Sequence, residues 1–260
     1  MSTAQILNYE VMGSGEPVVL LHGLFGDLDN LKGLGRDLST DHQVILMDLR
    51  NHGESFHHTS MSFAEMAADV AATLDSLQLT ETHLVGHSMG GKVAMEYALT
   101  YPERVRSLIP ADIAPVAYDP RHRHILDALQ SLPIEQMTSR QQADQHLAQT
   151  IHEVGVRQFL LKNLRRDDTH FYWRLNLAAL VECYPQITGG IREGHFAGPV
   201  RFIKGGNSDY LTSAHTEAVT ARFSDVDIKI INGTGHWLHA EKPQVFNRLA
   251  RQFIENHSRT

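Results

Sequence analysis

A chain of 260 residues with 42% hydrophobic and 20% charged side chains has the make-up of a soluble globular protein, which excludes extended disorder and a coiled coil. Its formal charge of −7, from 23 Lys and Arg against 30 Asp and Glu with no basic cluster, argues against a nucleic-acid partner or an anionic membrane surface. The opening MSTAQILNYEVMGSGEP has no basic leader ahead of an apolar run, and no run is long enough to span a bilayer, so the expectation is a cytoplasmic protein. A single cysteine, Cys183, rules out an internal disulfide and fits a reducing compartment. Within LAALVECYP it reads as a small buried hydrophobe rather than a nucleophile.

In chain order, ILNYEV (6–11) alternates apolar and polar residues, GSGEP makes a turn, and VVLL (18–21) is a short apolar run. Together these predict a hairpin leading into a buried strand. Residues 30–38 read as a helix and HQVILMDL (42–49) as a second buried strand. SFAEMAADVAATLDSL (62–77) is an amphipathic helix opened by a capping box from Ser62 to Glu65. THLVG predicts a strand, GGKVAMEYALTYP a helix and VRSLIPAD (105–112) a strand. From about 115 to 192 the patterns are helical, with no convincing strand. The alternation resumes with PVRFIKGG (199–206), a helix near 213–222, VDIKIING (226–233) and a final helix from Pro243 to Glu255. Apolar strands alternating with helices imply a mainly parallel sheet covered on both faces. The expected organisation is a core of residues 1–114 and 193–260 interrupted by a helical insertion of residues 115–192, too long for a structureless loop.

HLVGHSMGG (83–91) places Ser88 between Gly86 and Gly90 where a strand gives way to a helix. This is the G-x-S-x-G nucleophile elbow, a sharp turn that lifts a serine Oγ above the sheet edge at a helix N-terminus. The backbone N–H of Met89 then points at a developing oxyanion. LLHGLFG (20–26) follows an early strand and offers the N–H of Leu24 as a second donor, with His22 bonded to the loop backbone rather than acting as a base. In INGTGHWLHAEKP, His236 follows the last strand and is the preferred general base over His239, three residues on. Two aspartates are candidates for the acid that orients it: Asp112 in PADIAP and Asp209 in KGGNSDYL.

The order HGLFG, DLRNHGES (48–55), VGHSMGG, GTGHW resembles the α/β-hydrolase superfamily from about residue 16 to the end, apart from the insertion. The resemblance implies an α/β-hydrolase fold with a helical cap between the sixth and seventh strands, and it makes Asp48, Arg50 and His52 structural loop residues. ADIAP together with GGNS looks closest to the YbfF-type bacterial esterases and their mitochondrial relatives. The superfamily's usual acid falls at Asp209, whereas the YbfF-type arrangement falls at Asp112, which is therefore preferred. A serine at the elbow, in place of the aspartate of epoxide hydrolases and haloalkane dehalogenases, implies acyl transfer through an acyl-enzyme.

The expected function is a cofactor-free serine esterase of small to medium acyl esters or thioesters, a small-molecule enzyme with no metal. The histidines at 57, 58, 122 and 124 lack the spacing of a zinc site. A C–C bond hydrolase of the same fold, with Arg121, Arg123, Arg165 and Arg166 serving an acidic substrate, is the first alternative, and a non-catalytic ligand receptor the second. HFYW (170–173) is an aromatic cluster suited to lining an acyl pocket or to packing the insertion onto the core.

Overall fold

A computed structural model describes residues 4–259; residues 1–3 of the stretch read for a leader lie outside it. Strand β1 (Tyr9–Met12) is followed by β2 (Glu16–Leu21), helix α1 (Lys32–Leu38), β3 (His42–Met47), α2 (Phe63–Ser76), β4 (Thr82–His87), α3 (Met89–Thr100) and β5 (Val105–Ala111). Next come α4 (Arg123–Ser131), α5 (Arg140–Leu147), α6 (Val154–Leu161), β6 (Leu164–Arg166), β7 (Phe171–Trp173), α7 (Leu177–Glu182) and α8 (Tyr184–Thr188). The chain ends with β8 (Phe196–Gly205), α9 (Thr216–Thr220), β9 (Phe223–Ile231), α10 (Leu238–Glu241) and α11 (Pro243–Glu255).

Seven strands form one sheet in the order β1-β3-β2-β4-β5-β8-β9, parallel except for β1. Along β2 the side chains alternate between two cores. Val19 and Leu21 join the apolar cluster that holds α2 and α3, while Val18 and Leu20 join the one that holds α1 and α11. A strand apolar at every position is what a sheet covered on both faces requires.

The structure corrects several expectations. The 115–192 span follows β5 and precedes β8, the fifth and sixth strands of the sheet in chain order, not a sixth and a seventh, because only five strands of this seven-stranded sheet come before it. β1 and β2 are not a hairpin: β1 pairs antiparallel with β3, which lies between them. The turn at Gly13 passes over the start of β3 so closely that a Cβ there would lie 2.3 Å from the Ser39 carbonyl and 2.4 Å from that of His42. The chain crosses β3, and β2 gains a parallel partner on each side. The span 115–192 also contains strands, since β6 and β7 pair antiparallel from Leu164↔Trp173 to Arg166↔Phe171. At three residues each they are too short for alternation to register.

The capping box of α2 forms as read: Glu65 N donates to Ser62 Oγ, and Ser62 N donates to Glu65 Oε2 at 2.9 Å. The helix near 213–222 is shorter than expected, a 3-10 turn at Ser213–His215 running into α9.

Candidate active site

Ser88 sits between β4 and α3 at φ 53°, ψ −118°, a backbone conformation that non-glycine residues rarely adopt. The glycines around it are there for close approach. A Cβ on Gly86 would meet the Gly90 carbonyl at 2.2 Å, and one on Gly90 would meet the Leu21 and His22 carbonyls at 2.4 and 2.5 Å. All of these neighbours are backbone and have nowhere to move. The turn is therefore tight because α3 starts directly against the end of β2, and Ser88 takes up the strain.

Oγ of Ser88 lies 2.9 Å from Nε2 of His236, and Nδ1 of His236 lies 2.7 Å from Oδ2 of Asp112. Asp112 follows β5, is fully buried and also has a positive φ of 51°. Its carboxylate accepts two further bonds, from Gly205 N to Oδ1 at 2.9 Å and from Ser208 Oγ to Oδ2 at 2.5 Å. A carboxylate held by three donors presents Oδ2 to Nδ1–H, which leaves Nε2 as the acceptor for the serine hydroxyl.

Asp209, the other candidate acid, points away. It pairs with Arg121 at 2.5 Å on the surface, and that guanidinium holds its carboxyl below the ordinary carboxylate range. The residue of this stretch that joins the site is its neighbour Ser208. His239 makes no bond to Ser88 or to an aspartate among the described residues; its ring packs 4.3 Å from His87, and burial lowers it to about 4.

The loop after β2 is pinned by two neutral histidines. Leu49 N donates to Nε2 of His22, and Nδ1–H of His22 donates to the Gly23 carbonyl at 2.8 Å. Phe25 N donates to Nε2 of His52, whose Nδ1–H donates to the Arg50 carbonyl at 3.0 Å. Burial holds His52 down to about 3 and His22 below its ordinary value, so both stay uncharged and keep these roles. Asp48 accepts from Asn8, Leu28 and Glu54, and Arg50 grips Asp69 through two bonds of 2.6 and 3.0 Å. Leu24 lies in this loop beside Ser88, and Met89 opens α3, where the first N–H groups have no partner within the helix.

Several residues at the site carried no sequence signal. His87, the variable residue before the serine, donates Nε2–H to the His236 carbonyl at 2.8 Å. Tyr210 stacks on the His236 ring with centroids 4.0 Å apart and 21° between planes. His122 lies 3.2 Å from the Tyr210 hydroxyl. Asn163 donates to the Phe25 carbonyl at 2.7 Å, and Arg174 pairs with Asp27, so the 115–192 span helps hold the loop after β2. Lys92, one turn after Ser88, is buried and donates to the Gly189 carbonyl at 2.6 Å.

Two cavities meet at Ser88. The larger, about 400 Å³, is bordered by His236 and by the apolar side chains of Ile125, Phe159, Leu160 and Trp237. The smaller, about 40 Å³, is bordered by Met89, Lys92, Tyr118 and Ile187. The HFYW aromatics line neither: Phe171 is buried in the core, Tyr172 is exposed and Trp173 is half-buried. Of the four arginines considered for an acidic substrate, only Arg121 borders a cavity. Arg123 pairs with Asp127 on the surface, and Arg165 and Arg166 lie on β6. Cys183 is buried with its thiol toward the Thr59 carbonyl, and burial raises its pKa. Among the described residues no group of three or more His, Cys, Asp and Glu is placed to hold a metal, and no helix is long and apolar enough to cross a membrane.

A family described as the alpha/beta hydrolase fold matches residues 16–144, which run from β2 through the elbow at Ser88 into α5. The chain belongs to the α/β-hydrolases and, among them, to the esterases of the YbfF type. It is 39% identical over 244 residues to "Esterase YbfF" of Escherichia coli (strain K12), covering 94% of each chain. It is 38% identical to "sn-1-specific diacylglycerol lipase ABHD11" of Xenopus laevis, covering 93% of this chain and 80% of that one. The solved structure of a "Marine microorganism esterase" superposes with a TM-score of 0.93 at 36% identity, covering 96% of this chain and all of the other.

Proposed function

We propose that this protein is a serine esterase that works through an acyl-enzyme, with Ser88 as nucleophile, His236 as general acid and base, and Asp112 as the residue that orients His236. The observation that carries the reading is the unbroken line of hydrogen bonds from Ser88 Oγ through both nitrogens of His236 to Asp112. As Oγ bonds to the acyl carbon, Nε2 takes its proton, and the carbonyl oxygen gathers charge beside the N–H groups of Leu24 and Met89. The bond to the leaving oxygen or sulfur then breaks, and His236 returns the proton to it. Water enters the same place and bonds to the acyl carbon as His236 takes its proton; the acyl–Oγ bond then breaks, His236 passes the proton to Ser88 Oγ, and the free acid leaves. The buried carboxylate favours the imidazolium that forms twice in each cycle.

Residues 115–192 act in this reading as a cap over the core of 1–114 and 193–260, closing the larger cavity over Ser88. Relatives named as an esterase and as a diacylglycerol lipase support ester hydrolysis. The C–C hydrolase reading has less support, because three of the four arginines proposed to serve its acidic substrate lie away from both cavities. The test is pre-steady-state release of p-nitrophenol from a p-nitrophenyl ester. Wild type should give a burst matching the enzyme concentration, and Ser88→Ala should give none; a burst in Ser88→Ala would overturn the assignment.

A further inference from the structure

We propose that the small cavity is the acyl subsite and the large one the leaving-group subsite, so that the substrates are esters or thioesters of short acyl groups with bulky, apolar alcohols or thiols. This rests on the acyl-enzyme reading and goes on to name the substrate class. Around the tetrahedral carbon formed on Ser88, the oxyanion faces the loop after β2 and the start of α3. The leaving atom must lie within reach of His236 Nε2, which protonates it. The acyl chain takes the remaining direction. His236 borders the cavity of about 400 Å³ and not the one of about 40 Å³. The leaving group therefore enters the large cavity, and the acyl chain turns down along α3 toward Met89 and Lys92.

The small cavity also has firm walls. Lys92 is 2% exposed, with Nζ bonded to the Gly189 carbonyl at 2.6 Å. The Tyr118 hydroxyl accepts from Ala114 N and donates to the Tyr210 carbonyl. Ile187 is buried on α8. Space for about three water-sized groups takes an acetyl to butyryl chain and no more, because enlarging it breaks bonds of buried polar groups. The large cavity offers about ten times that volume behind apolar walls, and the apolar part of a leaving group gains by burial there.

The test is a two-way panel on the full chain. With p-nitrophenol as the constant leaving group, kcat/KM should fall at least about tenfold between butyryl and octanoyl esters, a difference of about 1.4 kcal/mol. With acetate constant, it should rise from ethyl through hexyl and benzyl esters. Ile187→Ala, which widens the small cavity, should move the acyl optimum to longer chains. Phe159→Trp, which fills the large one, should weaken hexyl and benzyl acetates and leave the acyl profile of ethyl esters unchanged. Opposite trends in the panel, or a Phe159→Trp effect on acyl length, overturn the subsite assignment alone when Ser88 still reacts with a fluorophosphonate. Absence of both labelling and turnover overturns the esterase reading with it.

Discussion

Asp112→Asn separates the two aspartates most sharply, and its effect follows from which atoms face which donors. Oδ1 accepts from the backbone N–H of Gly205, which is fixed in place, so an asparagine must keep its carbonyl oxygen on that side. Its NH₂ then faces Ser208 and His236 Nδ1, where the carboxylate had accepted. Nδ1 is forced to accept, the proton moves to Nε2, and Nε2 no longer takes the serine proton. A wrong tautomer with intact geometry costs about four orders of magnitude in kcat, or roughly 5.5 kcal/mol. Fold loss does not confound the result, because asparagine tolerates the positive φ found here. Asp209→Asn removes only an exposed pair with Arg121 and should leave kcat within about threefold. The assay is steady-state hydrolysis of p-nitrophenyl butyrate, with thermal melts of both variants as the control for folding. A kcat for Asp112→Asn above about a tenth of wild type, or a loss beyond about a hundredfold in Asp209→Asn, would show that Asp112 is not the residue that orients His236.

His87→Leu deletes a neutral bond to the His236 carbonyl while keeping the ring's bulk in part, so kcat should drop about fivefold to tenfold with KM little changed. An unchanged kcat would show that the loop needs no such tie. Ser88→Gly should be more stable to urea than Ser88→Ala, by on the order of 1 kcal/mol, because glycine adopts the φ of 53° without strain; equal stabilities would contradict that. Burial lowers Lys92 from 10.5 to about 7, so the unfolded chain binds the extra proton between those values. Its contribution to stability rises with pH across that window, and below it the fold carries the full cost of a buried ammonium. The stability of Lys92→Met relative to wild type should accordingly shrink as pH climbs from about 6 to about 10 in urea titrations, and a constant difference refutes the assignment.

Legibility in the sequence followed the range over which each signal acts. The strands buried on both faces, the cap of α2 and the elbow are local patterns, and Ser88 and His236 stand beside glycines that mark where a strand end must turn. The partners that complete the site come from far along the chain. Ser208 and Asp209 are adjacent and equally polar, and only the direction of the turn after β8 puts the first on Asp112 and the second on Arg121. His122 and Asn163 belong to helical or loop segments whose pattern is that of any cap, and they reach the site by packing alone. The β1 error has the same origin. Alternation marked a strand near residues 6–11, but its pairing depends on where the turn at Gly13 crosses β3, and that contact is tertiary.

Of five non-glycine residues with positive φ among the described residues, three lie at the site: Phe25 in the loop after β2, Ser88, and Asp112. Each costs on the order of 1–3 kcal/mol, and each is held by groups that cannot relax. Phe25 is bonded on both sides, its N–H to neutral His52 and its carbonyl to Asn163. Ser88 N donates to Ala111 O, and Asp112 N donates to Ile203 O, which ties both bends to neighbouring strand ends. The parallel sheet is what makes this possible, since adjacent parallel strands end at the same edge and can brace each other's turns. The histidines that brace the loop must stay neutral to act as acceptors, and deep burial keeps them so. The core is therefore part of the site's chemistry: it fixes the tautomers of His22 and His52, and through them the position of the Leu24 N–H.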